Sequence, residues 1–291
     1  MATAKGEALI GIDLGGTKVA AGNIHGGALK ELLYQQVPAE SEDPEETVGL
    51  ITGMIRKLMD NDVAGIGIGV PGLVDKERGI VYDVHNIPSW KEVPLKRILE
   101  QEFEVPVQLD NDSNCFALGE YRFGAHSGEK DFVGITLGTG MGAGIIKNGA
   151  LIPDANRCSG EFGNIPYLDG IYENYCSGMF FGRTFGKNGE EVALEASKGE
   201  KWAIEAYHQF GMHLGNGIKT IQLAVDPRMI IIGGSLAKAK DLFEESMWKS
   251  ISDTLFPSTL KNFRVMFSET ANVAILGAAA LCFDAYGNKS I

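Results

Sequence analysis

The stretch "FVGITLGTGMGAGIIKNGAL" (residues 132–151) decides the fold, because the chain has nearly said it before. Residues 9–29 read "LIGIDLGGTKVAAGNIHGGAL". At an offset of 123, Gly134 falls on Gly11, Ile135 on Ile12, Leu137 on Leu14 and Gly138 on Gly15. One slipped residue later, Gly149-Ala150-Leu151 falls on Gly27-Ala28-Leu29. Each copy reads as strand, glycine turn, strand, second turn, strand, and Asn148-Gly149 is a strong hairpin signal. A hairpin built twice implies two related domains.

The text between and after the copies alternates. "SEDPEETVGLITGMIRKLMDN" has an acidic, proline-containing start, and Val48, Ile51, Ile55 and Leu58 recur at helical spacing. "VAGIGIGV" predicts a strand, "VPLKRILEQEF" a helix, "VPVQLD" a strand and Ser113–Phe123 a helix. After the second copy come a helix over residues 201–223, the strand "RMIIIGG", another helix, the strand "FRVMFSE" and a closing helix in "VAILGAAALCFDAY". Meanders followed by alternating helices and strands indicate a mixed α/β protein.

The 291 residues suit two domains rather than one core, and 44% hydrophobic with 22% charged residues is ordinary globular composition. The longest apolar run, Val273–Phe283, has 11 residues, short of the roughly 18 that span a bilayer. Residues 1–8 lack a signal-peptide pattern. Cys115, Cys158, Cys176 and Cys282 lie far apart, which fits reduced thiols in a cytoplasm. A formal charge of −12 without a basic patch argues against nucleic acid as a partner.

An acidic protein can still hold a polyanion through backbone N–H groups and a metal ion. Glycines in a tight turn let those amides approach a phosphate with no Cβ in the way. "DLGGTK" offers Gly15, Gly16, Thr17 and Lys18, and "LGTGMGAG" offers Gly138, Thr139, Gly140 and Gly142. One such loop alone would pass as a plain hairpin turn, whereas a duplicated pair suits a grip on a polyphosphate from two sides. Asp13 at the end of the first strand suits Mg²⁺ held through water, since a carboxylate beside phosphates is repulsive without a cation. It also suits a turn-starting aspartate. The P-loop pattern is absent. "GIGVPG" (residues 67–72) matches G-x-G-x-x-G, but Pro71 and the turn-like text after it leave no helix to receive a pyrophosphate.

"GIDLGGTK", "GIGIGVPGLVD", "LDNDSNCFALGE", "LGTGMGAG", "GEFGNIP" and "IIIGGSLA" resemble, in order and spacing, the sugar kinases of the ROK family (repressors, open reading frames and kinases). The resemblance covers essentially the whole chain. It implies the two-domain actin-like ATPase fold of ribonuclease H type, with duplicated domains around a central cleft where ATP and sugar meet. On this reading residues 1–112 plus about 276–291 form a small N-terminal domain, and 113–275 a larger one. It further implies that Asp112 is the catalytic base, that Asn111 and Glu161 hold sugar hydroxyls, that Pro71 and Gly72 line the sugar pocket, and that Gly233 and Gly234 lie against the adenosine. Asp112 also suits a cap for the helix near Ser113, which is compatible with a base. Glu161 by itself would read as a solvated surface residue, and Pro71-Gly72 as a strand breaker.

The text departs from the family after Glu161. Members continue E-x-G-H and then a C-x-C-G-x-x-G-C loop, whose His and three Cys bind zinc. Here Asn164 replaces the histidine and the cysteine loop is missing, so no structural zinc is expected. Glu173 then takes the place of a second sugar-binding glutamate, and Cys176 lies beyond the lost loop. The expectation is an ATP- and Mg²⁺-dependent hexose 6-kinase acting on glucose or a related hexose. N-acetylmannosamine, N-acetylglucosamine and allose stay open as substrates, and "NYCSGM" is similar to allose kinases. A sugar-sensing repressor of the same family would carry a helix-turn-helix ahead of the first strand, where the text leaves no room. No membrane partner is expected, and a homodimer is the default assembly.

Overall fold

The computed structural model describes residues 8–84, 86–254 and 256–285. The absence of a signal segment in residues 1–7 and the end of the first domain beyond residue 285 lie outside them. The chain divides into two compact units. One comprises Met1–Glu129, Gly149–Ser159 and Glu269–Ile291, the other Lys130–Asn148 and Gly160–Ser268.

The first unit runs β1 (Ala8–Leu14), β2 (Lys18–His25), β3 (Ala28–Gln36), α1 (Pro44–Leu58), β4 (Val63–Val70), β5 (Leu73–Asp75), β6 (Ile80–Tyr82), β7 (Glu92–Val93), α2 (Leu95–Phe103), β8 (Val107–Asn111) and α3 (Asp112–Phe123). Its main sheet has the order β3-β2-β1-β4-β8, with β1, β4 and β8 parallel. The turn-like text after Pro71 contributes β5 and β6 to a small sheet β5-β6-β7. The local causes are plain in α1. Asp43 caps it by accepting the Glu45 N–H at 2.9 Å, Pro44 occupies its first turn, and Val48, Ile51, Ile55 and Leu58 are buried.

The second unit begins with β9 (Asp131–Leu137) and β10 (Met141–Lys147), before β11 (Ala150–Leu151) in the segment assigned to the first unit. It resumes with a 3₁₀ turn (Phe162–Asn164), β12 (Pro166–Tyr167), β13 (Gly170–Ile171), α4 (Glu173–Cys176), α5 (Gly178–Phe185), α6 (Gly189–Ser197), α7 (Lys201–Val225), β14 (Met229–Gly233), α8 (Glu244–Ser252) and β15 (Arg264–Phe267). Here β10-β9-β14-β15 repeats β2-β1-β4-β8: an antiparallel hairpin, then two parallel strands, each reached through a helical crossover. The duplicated hairpin of the sequence is thus duplicated in topology. Both hairpins close over three residues, Gly15–Thr17 and Gly138–Gly140.

The last helix, α9 (Val273–Ala285), belongs to the first unit, and so does α3. The division expected from the sequence, with 113–275 in the second domain, differs from this for a packing reason. α3 and α9 lie on the same face of the first sheet, with backbone almost touching backbone. A Cβ on Gly277 would sit 1.8 Å from the Cys115 carbonyl oxygen, and one on Gly119 2.1 Å from that of Val273. A Cβ on Gly67 of β4 would stand 1.8 Å from the Ala278 carbonyl, and one on Gly11 of β1 2.1 Å from that of Ile275. Along β1 the residues alternate accordingly. Ile10, Ile12 and Leu14 enter the core shared with α1 and α2, whereas Leu9, Gly11 and Asp13 share the α9 side.

This packing makes a clean contrast. Gly67→Ala is expected to cost about 3 kcal/mol or more, because the clash is with backbone that cannot step aside. Gly49→Ala is expected to stabilise by about 0.5–1 kcal/mol, since Gly49 is an exposed position inside α1 with nothing within 4 Å of a new methyl group. Urea midpoints of the two variants test both signs.

Candidate active site

In the first unit the parallel register puts Asp13 beside Gly69, and Gly69 beside Asp110. Neighbouring strands lie about 4.8 Å apart, so the two aspartates stand roughly 10 Å apart at the C-terminal ends of β1 and β8. Asp13 is partly exposed and makes no hydrogen bond or ion pair among the described residues. The protein around it disfavours the charged form and pushes its pKa up to about 6. It adjoins the first hairpin, where the Gly15 N–H closes the turn by donating to the Lys18 carbonyl at 2.9 Å. The N–H groups of Gly16 and Thr17 meet no acceptor among the described residues. A Cβ on Gly16 would strike the Asn86 side chain at 2.4 Å. The Lys18 ammonium lies over the Tyr34 ring, 3.7 Å from the centroid.

The head of α3 supplies the second cluster. Asn111 is the N-cap, its Oδ1 accepting the Ser113 N–H at 2.9 Å, so the cap is one residue earlier than Asp112. Asp112 is the first helical residue, and its Oδ1 also accepts the Ser113 N–H, at 2.8 Å. The Asn111 amide donates to the Gly72 carbonyl at 3.2 Å. Gly72 needs to be glycine, with φ at +93° and a Cβ that would meet the Tyr82 carbonyl at 3.0 Å. Asp13, Gly15 to Lys18, Pro71, Gly72, Asn111 and Asp112 therefore all belong to one unit. Beneath them the buried Cys115 thiol is pushed well up by desolvation and then by Asp110, Asp13 and Asp112, with Lys76 opposing.

The second unit holds the other predicted residues. The N–H groups of Thr139 and Gly140 meet no acceptor among the described residues, as in the first hairpin. Gly142 pairs with Thr136, which pairs on its other side with Gly233. Gly234 has φ at +91°, and a Cβ there would stand 2.2 Å from the Leu137 carbonyl, so the turn after β14 lies directly against the hairpin. The Gly178 N–H donates to the Gly138 carbonyl at 2.8 Å. This brings the start of α5, with its Ser177 cap, into the same place, a feature the sequence reading missed.

The Asn164 amide donates to Glu161 Oε2 at 2.8 Å, making one polar pair. Glu173 does something else as well. Its Oε2 accepts the Met141 N–H at 2.9 Å, and a Cβ on Gly140 would approach that oxygen to 2.5 Å. The carboxylate expected to hold sugar thus braces the glycine loop, leaving Oε1 for other work. Between Asn164 and Glu173 the chain forms the β12–β13 hairpin. Tyr167 stacks on Tyr172 with centroids 4.3 Å apart, contacts His213 Nδ1 at 3.1 Å and accepts from Asn216 at 3.1 Å. Burial lowers the His213 pKa and so favours the neutral ring. The Cys176 thiol is fully buried and pushed far up by desolvation. Among the described residues no group of three or more His, Cys, Asp or Glu side chains is placed to hold a metal ion. No helix among them is long and apolar enough to cross a membrane.

The model of the ROK family matches residues 9–285. A glucokinase of Streptomyces coelicolor is 30% identical over 277 residues, covering 83% of this chain and 86% of that protein. A xylose repressor of Caldicellulosiruptor bescii is 29% identical, covering 94% of this chain and 77% of that one. Among solved structures, a ROK family glucokinase of Streptomyces griseus in complex with glucose and AMPPNP superposes with a TM-score of 0.81 at 29% identity, covering 94% and 98% of the two chains. The fold is the actin-like ATPase fold of such kinases.

Asp13 carries a consequence for stability. Its pKa is about 6 in the folded chain and about 3.9 in the unfolded one, so the folded state binds the proton more tightly. That contribution to stability is complete below about pH 4 and is lost as pH rises through about 6. In metal-free buffer Asp13→Asn is expected to stabilise the protein by on the order of 1 kcal/mol at neutral pH, solvent contact keeping the gain small, and to change nothing near pH 4. Denaturant midpoints at the two pH values check the sign.

Proposed function

This chain belongs to the ROK family, and we propose that it is an ATP-dependent hexose kinase, an ATP:hexose 6-phosphotransferase acting on glucose or a related hexose. The observation that carries the reading lies in the first unit. A carboxylate with no partner among the described residues, Asp13, and a carboxylate in the first turn of a helix, Asp112, stand at the ends of strands of one sheet. Beside them is a loop whose Gly16 and Thr17 amides have no acceptor among the described residues. The glucokinase relative and the glucokinase structure holding glucose and AMPPNP support the same chemistry.

The roles follow from the chemistry of each group. Asp112 accepts the proton of the sugar's 6-hydroxyl as that oxygen bonds to the γ-phosphorus of ATP and the bond to the bridging oxygen of ADP breaks. The amides of Gly16, Thr17, Thr139 and Gly140 donate to phosphate oxygens without bringing net charge, which suits a protein with a formal charge of −12. Asn111, Glu161 and Asn164 hold ring hydroxyls, with Glu173 Oε1 a further acceptor and Pro71-Gly72 the wall beside Asn111. Gly233 and Gly234 let the adenosine approach backbone. Asp13 fits a hard cation, because it is an ionisable oxygen donor with no competing cation among the described residues, and it would hold Mg²⁺ through water. The ion would neutralise charge on the phosphates. No zinc enters this reading.

A second reading, a sugar-sensing regulator, is favoured by the likeness to a xylose repressor. A coupled ADP-release assay with glucose, N-acetylglucosamine, N-acetylmannosamine and allose separates the two, since a regulator releases no ADP with any of them. In the same assay Asp112→Asn is expected to lower kcat by about 10²- to 10⁴-fold, while calorimetry shows sugar affinity largely kept. Turnover close to that of the unaltered protein would remove Asp112 from the base role.

A further inference from the structure

We propose that Asp110 and Lys76 form a positioning pair that fixes Asn111 and Asp112 and balances the charge felt by the base. The proposal rests on the kinase reading above. Asp110 is 3% exposed, and both of its oxygens are engaged. Oδ2 meets Lys76 Nζ at 2.6 Å, and Oδ1 accepts from the Asn111 N–H at 2.8 Å and the Asn114 amide at 2.7 Å. One carboxylate thus holds the residue before Asp112 and the residue two after it, which sets the direction in which the first turn of α3 leaves β8.

Lys76 comes from elsewhere in the unit, the turn between β5 and β6. That turn is itself fastened: Asp75 Oδ1 accepts the Arg78 N–H at 3.0 Å, and its Oδ2 pairs with Arg157 at 2.7 Å. The Asn111 amide reaches the Gly72 carbonyl at the start of the same small sheet. These links bind the Gly72 turn to the helix head, and the Lys76–Asp110 link carries charge. Among the described residues, the charges that weigh on Cys115 include Asp110 from β8, Asp13 from β1 and Asp112 from α3, opposed by Lys76 from the β5–β6 turn. Removing either member of a buried pair leaves the other uncompensated. The two removals therefore act on Asp112 with opposite signs. A lone Asp110 carboxylate strengthens proton binding at Asp112, and a lone Lys76 weakens it.

The test measures kcat, both KM values and the pH–rate profile of the full chain with ATP, Mg²⁺ and the sugar that turns over. Lys76→Met is expected to lower kcat by about 10- to 100-fold, as a misplaced base does, and to move the acid limb to higher pH. Asp110→Asn is expected to lower kcat and move that limb to lower pH. Lys76→Arg should restore most of the loss, with the KM for ATP steady throughout. Limbs that move in the same direction, or stay put, overturn the proposal. If Asp110→Asn melts early, the partly exposed Lys76 decides the matter alone, and equal profiles for Lys76→Met and Lys76→Arg overturn it. If the unaltered protein releases no ADP with any sugar, the kinase reading is what has failed. Calorimetry then asks whether Lys76→Met weakens sugar binding through Asn111, and unchanged affinity refutes the pair's positioning role.

Discussion

Backbone lying on backbone is the constraint from which the rest of the first unit follows. Helices normally stand about 8–10 Å from what they pack on, because side chains intervene. Here Gly67, Gly119 and Gly277 remove the intervening atoms, and α3, α9 and β4 settle against one another at the level of carbonyl oxygens. The head of α3 has little freedom left. A Cβ on Gly69 would meet Cys115 Sγ at 3.1 Å and the Asp112 Cα at 3.3 Å, so Asp112 is held over the end of β4, one strand from Asp13. The site is where it is because glycines in the sheet and helices admit no alternative spacing.

The same closeness creates an electrostatic problem. Three aspartates and a buried thiol crowd one end of the sheet, with Lys76 as the ammonium that opposes them. Neutralising each carboxylate with its own base would have produced a rigid, satisfied cluster with nothing left for a ligand. Instead the balance is uneven. Asp110 is paired, whereas Asp13 has no partner among the described residues, and desolvation pushes its pKa up to about 6. A carboxylate kept uncomfortable in this way gains most from an arriving cation.

Much of this was legible in the sequence, for a physical reason: hairpins, caps and parallel-strand ends are local, and local structure writes local patterns. The repeat of 9–29 at 132–151 gave both sheets, and the alternation after each copy gave the crossovers. What escaped was long-range. Nothing in "DKERG" says that Lys76 reaches Asp110, and nothing near Glu173 says that its carboxylate will cap the Met141 N–H rather than face only a ligand. α3 falls in the first unit with its partner α9, which lies some 150 residues away in the chain. The helices α5 and α6 went unread where Gly182, Gly186 and Gly189 dilute the helical pattern. The capping box of Asn188 and Glu191 was nonetheless there to be seen.

The altered segment after Glu161 can be understood on the same terms. The segment that joins Glu161 to Glu173 gains stiffness from a well-satisfied network. Here it comes from rings and hydrogen bonds: Tyr167 stacked on Tyr172, tied to His213 and Asn216 on α7, with Tyr172 bonded to Thr220 at 2.7 Å one turn further on. Asn164 adds a second consequence. An imidazole at that position would titrate near neutral pH, whereas an amide beside Glu161 keeps one charge state throughout. Contacts from this unit to a sugar should then be insensitive to pH around neutrality. On the proposed kinase reading, a pH dependence would come from Asp13 and Asp112 at the end of the first sheet.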